Sequence, residues 1–325
     1  MANDSSPPAA HTSLAARAAR VHAFGGVDAI LFEEVELSAP GPDEVLISVK
    51  AASVGPWDGW IRSGPSALPQ PLPLTLGSDL SGIVEQVGRN VTGFRPGEEI
   101  FGVTNPRFVG AYATRAIADA GMIALKPKGL SYIEAASVPV VATTAWQALF
   151  EQATLQQGQS VLIHGGAGNV GSYAVQLAHR AGLQVFATGS RDDLPNLQAN
   201  GADTAIDYRA TAFEDIVRDV DAVIDLVGGE TQRRSFAVLK RGGIMVSAVS
   251  QPDRDLARER GVQAYFFLVE VRTAVLTTLA SMIERGELKV SVGTVLRFAD
   301  AHLAHEMLEG TRPHPRGKIV LSMEG

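Results

Sequence analysis

Hydrophobic and polar positions change rhythm twice along this chain, which divides it into three zones. From Val21 to about Lys128 the apolar residues come in short runs broken by Gly and Pro, as at 44–49 (EVLISV), 81–87 (SGIVEQV) and 99–103 (EIFGV). Turn chemistry lies between them, at Pro40-Gly41-Pro42 and Arg95-Pro96-Gly97. Many short strands separated by such turns predict a β-rich domain. From about Gly129 the texture becomes strands alternating with helices. A short apolar run at 160–164 (SVLIH) precedes a Gly-rich stretch and then residues 169–181, whose Val170, Tyr173, Ala174, Leu177 and Ala178 share one helical face. Strand-like runs follow at 184–188, 204–206, 221–226, 243–249 and 262–268, with a helical stretch around 213–217. Apolar strands flanked by helices predict a doubly wound parallel α/β sheet, since both of its faces are covered. After Val271 a long helix is expected to reach Arg285, where Gly286 ends it. A strand at 294–298, a helix at 301–309 and a last strand at 318–322 (KIVLS) return to the texture of the first zone. The expected division is a disordered tail over 1–19, a β-rich part over 20–128, the α/β sheet domain over 129–270, and a return to the first domain over 271–325.

Composition narrows the function without naming it. Of the 325 residues, 46% are hydrophobic and 19% charged, and the net charge is −7. That is ordinary globular composition for about two domains, with no electrostatic reason to bind nucleic acid or an anionic membrane. Cysteine is absent, which excludes disulfides, thiolate metal sites and thiol nucleophiles and favours an intracellular, cytoplasmic setting. No stretch approaches the ~20 uninterrupted apolar residues of a membrane helix. The first twenty residues lack the apolar core of a signal peptide.

The strongest chemical feature is Gly166-Ala167-Gly168-Asn169-Val170-Gly171. A G-x-G-x-x-G is weak by itself, but here an apolar strand precedes it and an amphipathic helix follows. Gly166 is expected to make the tight turn, Gly168 to let a pyrophosphate approach the backbone, and Gly171 to let helix and strand close up. The helix N-terminus offers amides and partial positive charge to the anion. At the end of the second strand, where an NAD site usually has Asp or Glu, stand Gly189, Ser190 and Arg191. A hydroxyl and a guanidinium suit a 2′-phosphate, so NADPH is expected. Asp192 and Asp193 follow at once and oppose that reading if a shifted turn presents either. Tyr208, just past the third strand, is placed either to flank adenosine or simply on the surface.

Together with further motifs, these residues resemble the zinc-independent quinone oxidoreductase branch of the medium-chain dehydrogenase/reductase superfamily. The resemblance runs from about Val21 to Met323. It rests on Ala51-Ala52-Ser53-Val54 through Asp58, Ile61-Arg62-Ser63-Gly64, Gly77-Ser78-Asp79-Leu80-Ser81-Gly82, Gly110-Ala111-Tyr112-Ala113 and Gly317-Lys318-Ile319-Val320-Leu321. It implies a GroES-like substrate domain made from both chain ends, with the Rossmann domain inserted between. Metal-dependent relatives carry Cys near position 55 and Gly-His-Glu at 77–79, whereas this chain has Gly55 and Gly77-Ser78-Asp79. No metal is therefore expected, and His302, His305 and Glu306 read as a solvated helix face.

The resemblance further implies a cleft lined by residues 55–60. There Trp57 and Trp60 are candidates to stack on a flat acceptor, or else core residues, and Asp58 relays a proton or pairs with Arg62. Many relatives have Asn where Gly55 stands. Thr143 matches a family threonine near the nicotinamide, and Ala248, Val249, Phe266 and Phe267 lie at strand ends on that side. The implied activity is hydride transfer from NADPH to a quinone or an α,β-unsaturated carbonyl. A zinc-free alcohol or aldehyde dehydrogenase and a non-catalytic NADPH-binding protein are the alternatives. In this family the last strand commonly pairs with its copy, which implies a homodimer.

Overall fold

The computed structural model describes residues 14–68 and 70–324. Its first strand, β1 (Leu14–Val21), begins inside the segment expected to be a tail. Ala16, Ala18, Ala19 and Val21 are buried while Arg17 is exposed, an alternation that alanine makes too faint to read from the sequence. Residues 1–13 of the expected tail lie outside the described residues. β1 pairs antiparallel with β2 (Leu31–Leu37).

The long strand β3 (Glu44–Val54) leads into helix α1 (Pro56–Ser63), which starts on Pro56 and ends at Gly64 in the left-handed conformation. Then come β4 (Leu74–Thr75), β5 (Asp79–Val87), β6 (Glu99–Val103), β7 (Arg115–Asp119) and β8 (Ile123–Leu125). Two helices, α2 (Tyr132–Ala136) and α3 (Pro139–Trp146), carry the chain into the second domain.

There the order is β9 (Ser160–Ile163), α4 (Asn169–Arg180), β10 (Gln184–Gly189), α5 (Leu194–Ala199), β11 (Thr204–Asp207) and β12 (Val220–Asp225). α6 (Gly229–Ser235), β13 (Leu239–Ser247), α7 (Arg254–Arg260) and β14 (Gln263–Phe266) complete it. All six strands are parallel, in the order β11-β10-β9-β12-β13-β14. The direction of winding reverses between β9 and β12, and in such sheets a ligand binds in the crevice at the carboxyl ends of the strands there.

The chain returns through α8 (Thr273–Glu284), β15 (Val292–Arg297), α9 (Ala301–Leu308) and β16 (Lys318–Ser322). β16 pairs with β3 and β15 with β16, so the last residues complete the seven-stranded sheet of the first domain. Past the expected boundary at 271 the chain first bridges the two domains. α8 buries Val275, Leu276, Leu279 and Ile283 in the core that also holds Ala174 and Leu177 of α4, and packs between α3 and β8. Its apolar face is needed by the α/β domain, and the return to the first sheet is made by β15.

Candidate active site

The turn after β9 is shaped by three glycines, each for a different reason. The left-handed residue is Gly165 (φ 70), one position before the one expected, because the chain must reverse directly after His164. Gly166 instead permits packing, since a Cβ there would stand 3.0 Å from Ala187 of β10 and from Leu197 of α5. At Gly171 a Cβ would lie 2.1 Å from the Gly165 carbonyl oxygen, which ties α4 against the turn. Gly168 and Asn169 stay exposed at the mouth, and Ala167 and Val170 are half-buried beside them. The first amides of α4 thus open on the sheet's carboxyl edge with no side chain in the way, which fits a pyrophosphate.

At the end of β10 the structure alters the expected arrangement. Ser190 is buried, and its hydroxyl donates to Asp193 Oδ2 at 2.6 Å. Asp193 also accepts the Ser190 amide at 2.8 Å, so this carboxylate turns inward. The residue that sequence reasoning missed is Arg316, just before β16. Its guanidinium donates to Ser190 Oγ at 3.1 Å and lies 2.7 Å from Asp193 Oδ1. Arg191 is 81% exposed, with Nε 3.5 Å from Asp207. One guanidinium, that of Arg316, therefore touches Ser190 and neutralises the carboxylate that opposed an anion there, while that of Arg191 leans toward Asp207. Tyr208 follows β11, is 55% exposed, and donates its amide to Gly189 O at 3.1 Å. The Arg209 guanidinium lies 5.5 Å from its ring centre.

Thr143 of α3 is fully buried and its hydroxyl has no hydrogen-bond partner. Such a group costs free energy unless something completes it, so it is a fitting neighbour for a nicotinamide carboxamide. Ala248 donates its amide to Asp225 O and Phe267 donates to Ser247 O, which fixes the strand ends there. Val249 is exposed, and Phe266 and Phe267 are half-buried. The Asp225 carboxylate beneath them accepts from the Gly228 amide, Gln232 Nε2 and Ser247 Oγ, each at 2.8 Å. His164 braces the same floor, with Nδ1 3.2 Å from Thr188 Oγ1 and Nε2 2.9 Å from Ser235 Oγ. Burial lowers its pKa to about 4, so it serves as a neutral strut.

The first domain contributes a buried polar cluster. The Asp58 carboxylate accepts the Gly55 amide at 2.8 Å and the Tyr112 hydroxyl at 3.2 Å. Burial raises its pKa to about 7, and pushes the Tyr112 phenol well above its ordinary value. Asp79 accepts the Val140 amide at 2.8 Å, which anchors α3 one turn from Thr143. Burial lifts its pKa to about 6, opposed by Lys318. The Lys318 ammonium is 3.8 Å from Asp79 Oδ2, donates to Val54 O at 2.9 Å, and lies 4.5 Å from the Trp57 ring centre. Burial lowers its pKa, and both carboxylates oppose that shift. Trp57 Nε1 donates to Ser78 Oγ at 3.0 Å. Trp60 stays apart from this cluster, 54% exposed and in neither core.

Two expectations are corrected here. Arg62 does not pair with Asp58. It reaches from α1 to Glu309 beyond α9, because Asp58 is turned back to cap its own helix. Nor is His305 on a solvated face. It is fully buried, edge-on to Tyr112 with ring centres 6.0 Å apart, and burial lowers its pKa to about 3. His302 is exposed and Glu306 pairs with Arg312, so the helix separates these three residues. Among the described residues no three His, Cys, Asp or Glu side chains are gathered to hold a metal.

A nucleotide-binding sheet inserted in a GroES-like domain, with its crevice at the seam, defines a medium-chain dehydrogenase/reductase. Residues 41–128 match the family model described as alcohol dehydrogenase GroES-like domain, and residues 200–321 match the one described as zinc-binding dehydrogenase. The chain is 36% identical over 280 residues to a 2-methylene-furan-3-one reductase of Solanum lycopersicum, covering 82% of this chain and 68% of that one. It is 32% identical over 311 residues to a chloroplastic NADPH-dependent alkenal/one oxidoreductase of Arabidopsis thaliana, covering 92% and 77%. The solved structure of the quinone oxidoreductase from Coxiella burnetii superposes with a TM-score of 0.88 at 32% identity, over 96% of this chain and all of that one. The chain belongs to the zinc-independent quinone oxidoreductase branch of the medium-chain dehydrogenase/reductase superfamily.

Proposed function

We propose that this protein reduces quinones and α,β-unsaturated carbonyls with NADPH. The observation that carries the reading is the bare backbone turn at the reversal of the sheet's winding, where a ligand is expected. Besides this cradle at α4, Thr143 keeps an unpartnered hydroxyl, and the substrate domain bears Gly55 and Ser78 in place of metal ligands. The bound dinucleotide supplies a hydride from nicotinamide C4. The chain's own residues hold it at both ends: amides of Asn169 to Gly171 on the pyrophosphate, with Gly168 leaving the approach bare, and Thr143 with the backbone at Ala248, Val249, Phe266 and Phe267 along the nicotinamide side. An acceptor whose double bond is conjugated to a carbonyl spreads the arriving charge over its own π system, so orientation and exclusion of water do most of the work. The names of the tomato, Arabidopsis and Coxiella relatives support this class of acceptor.

For the cofactor, a pyridine nucleotide follows from the family, and NADPH is our reading of Ser190, Arg191 and Arg316. Guanidinium groups suit a 2′-phosphate, each charged hydrogen bond being worth about 1.5–3 kcal/mol. In fluorescence titrations, Arg316→Ala should weaken NADPH by about tenfold and leave NADH unchanged. Equal losses for both would remove the phosphate assignment. Steady-state oxidation of NADPH against a quinone, an enone and a simple aldehyde tests the activity. Turnover of the aldehyde alone would mark an alcohol dehydrogenase, and tight binding with no turnover a non-catalytic protein. The setting we propose is a cytoplasmic homodimer. The last strand, β16, is flanked by β15 and β3 and so cannot pair with its copy as expected. The edge we propose instead is the outer edge of β14, where Tyr265 and Leu268 are exposed. Among the described residues no helix is long and apolar enough to cross a membrane. Sedimentation at a monomer's mass would rule the dimer out.

A further inference from the structure

Gly55 and Trp57 share one volume. A Cβ built on Gly55 would stand 2.3 Å from Trp57 Cη2, 2.4 Å from Cζ2 and 2.6 Å from Cε2, so the indole already fills the space into which any side chain at position 55 would grow. The ring is not free to swing aside. Its Nε1 is bonded to Ser78 Oγ, and the Lys318 ammonium on the ring is itself fastened to the Val54 carbonyl oxygen and to Asp79. A desolvated cation over an aromatic ring adds a further attraction. Phe108 stands edge-on, with ring centres 6.5 Å apart.

The position of this ring is what gives it a role. Trp57 is half-buried and packs against both main hydrophobic cores, one centred on each domain, so it stands at the seam between them. Asp79, which holds Lys318, also holds the α3 turn that precedes Thr143. Wall and nicotinamide pocket are therefore keyed to one carboxylate.

We propose that Trp57 is the residue that selects the acceptor, as a fixed aromatic wall that admits planar conjugated carbonyls and excludes acceptors with bulk out of that plane. Gly55 is its structural counterpart, kept without a side chain so that the wall can stand. The inference rests on the reductase reading above and adds the shape of the substrate class. It assigns Trp57 the role of a wedge, one whose surroundings hold it in a single orientation.

The test has two readouts. The first needs neither cofactor nor acceptor. Thermal melts of Gly55→Ala, Trp57→Ala and the double variant should show Gly55→Ala strongly destabilising in the parent and close to neutral on the Trp57→Ala background. Additive effects would show that the two residues do not compete for space. The second is the ratio of kcat/KM for a flat acceptor, 1,4-benzoquinone, to that for an enone carrying geminal methyl groups beside the double bond. Trp57→Ala should shift this ratio toward the bulky enone by about tenfold or more, the scale set by opening a hydrophobic pocket, with Trp57→Phe between. An unchanged ratio in a folded Trp57→Ala that still turns over overturns the selector alone. Failure of the wild type to reduce any acceptor overturns the reductase reading and the selector with it.

Discussion

Asp58 shows how far a single residue can depart from what its neighbours in sequence suggest. It sits four positions before Arg62, a spacing that invites an ion pair on one helix, yet its carboxylate turns back to the Gly55 amide and Arg62 reaches Glu309. Burial leaves Asp58 protonated at pH values where the unfolded chain has lost the proton. The folded state then holds more protons than the unfolded one between the ordinary value of 3.8 and about 7. Stability must fall as pH rises through that window, by at most about 1.4 kcal/mol per unit. Asp58→Asn removes the titration while keeping an acceptor for Gly55. Its melting temperature should therefore decline less than the parent's between pH 5 and pH 7.5. Parallel declines would mean that Asp58 ionises as freely in the fold as outside it.

Among the elements, the turn from β9 into α4 carries the clearest division of labour. A Cβ at Gly171 would meet the Gly165 carbonyl oxygen at 2.1 Å, against 3.2 Å for one at Gly168. Gly171→Ala is a packing defect and should cost about 1–3 kcal/mol of stability in denaturant unfolding. Gly168→Ala should unfold almost like the parent but bind NADPH about tenfold more weakly, equivalent to about 1.4 kcal/mol, because its methyl group intrudes at the mouth. The reverse pattern would exchange the two roles. This element was legible from spacing because all its parts are local. The residue making the sharp turn was misplaced by one, since Gly165 and Gly166 are both glycine and only backbone angles tell them apart. The faint alternation of β1 was missed for a similar reason, alanine being nearly silent in a hydrophobic pattern.

For the whole molecule, Lys318 is the point where the chain's end locks its beginning to its middle. From β16 it meets Asp79 of β5, which in turn holds α3, and it lies on Trp57 of α1. Removing one partner of a buried pair leaves an uncompensated charge, so Lys318→Met should lose about 3–5 kcal/mol. Lys318→Met with Asp79→Asn should recover much of that loss. A double variant as unstable as the single one would place the cost in packing instead.

The short apolar strands between helical stretches, and the helical face after the glycine turn, were sufficient to predict the doubly wound sheet and to point to a cofactor cradle. The family was legible only through the ordered motifs that resemble it. Sheet and cradle are properties of residues close along the backbone, where periodicity and φ/ψ preference act directly. Only the tertiary structure decided that Arg316 reaches Ser190 across 126 positions, that Lys318 reaches Val54 across 264, and that Trp57 occupies the space above Gly55. Those meetings depend on where the chain returns and on what is buried when it does, and no local pattern encodes either.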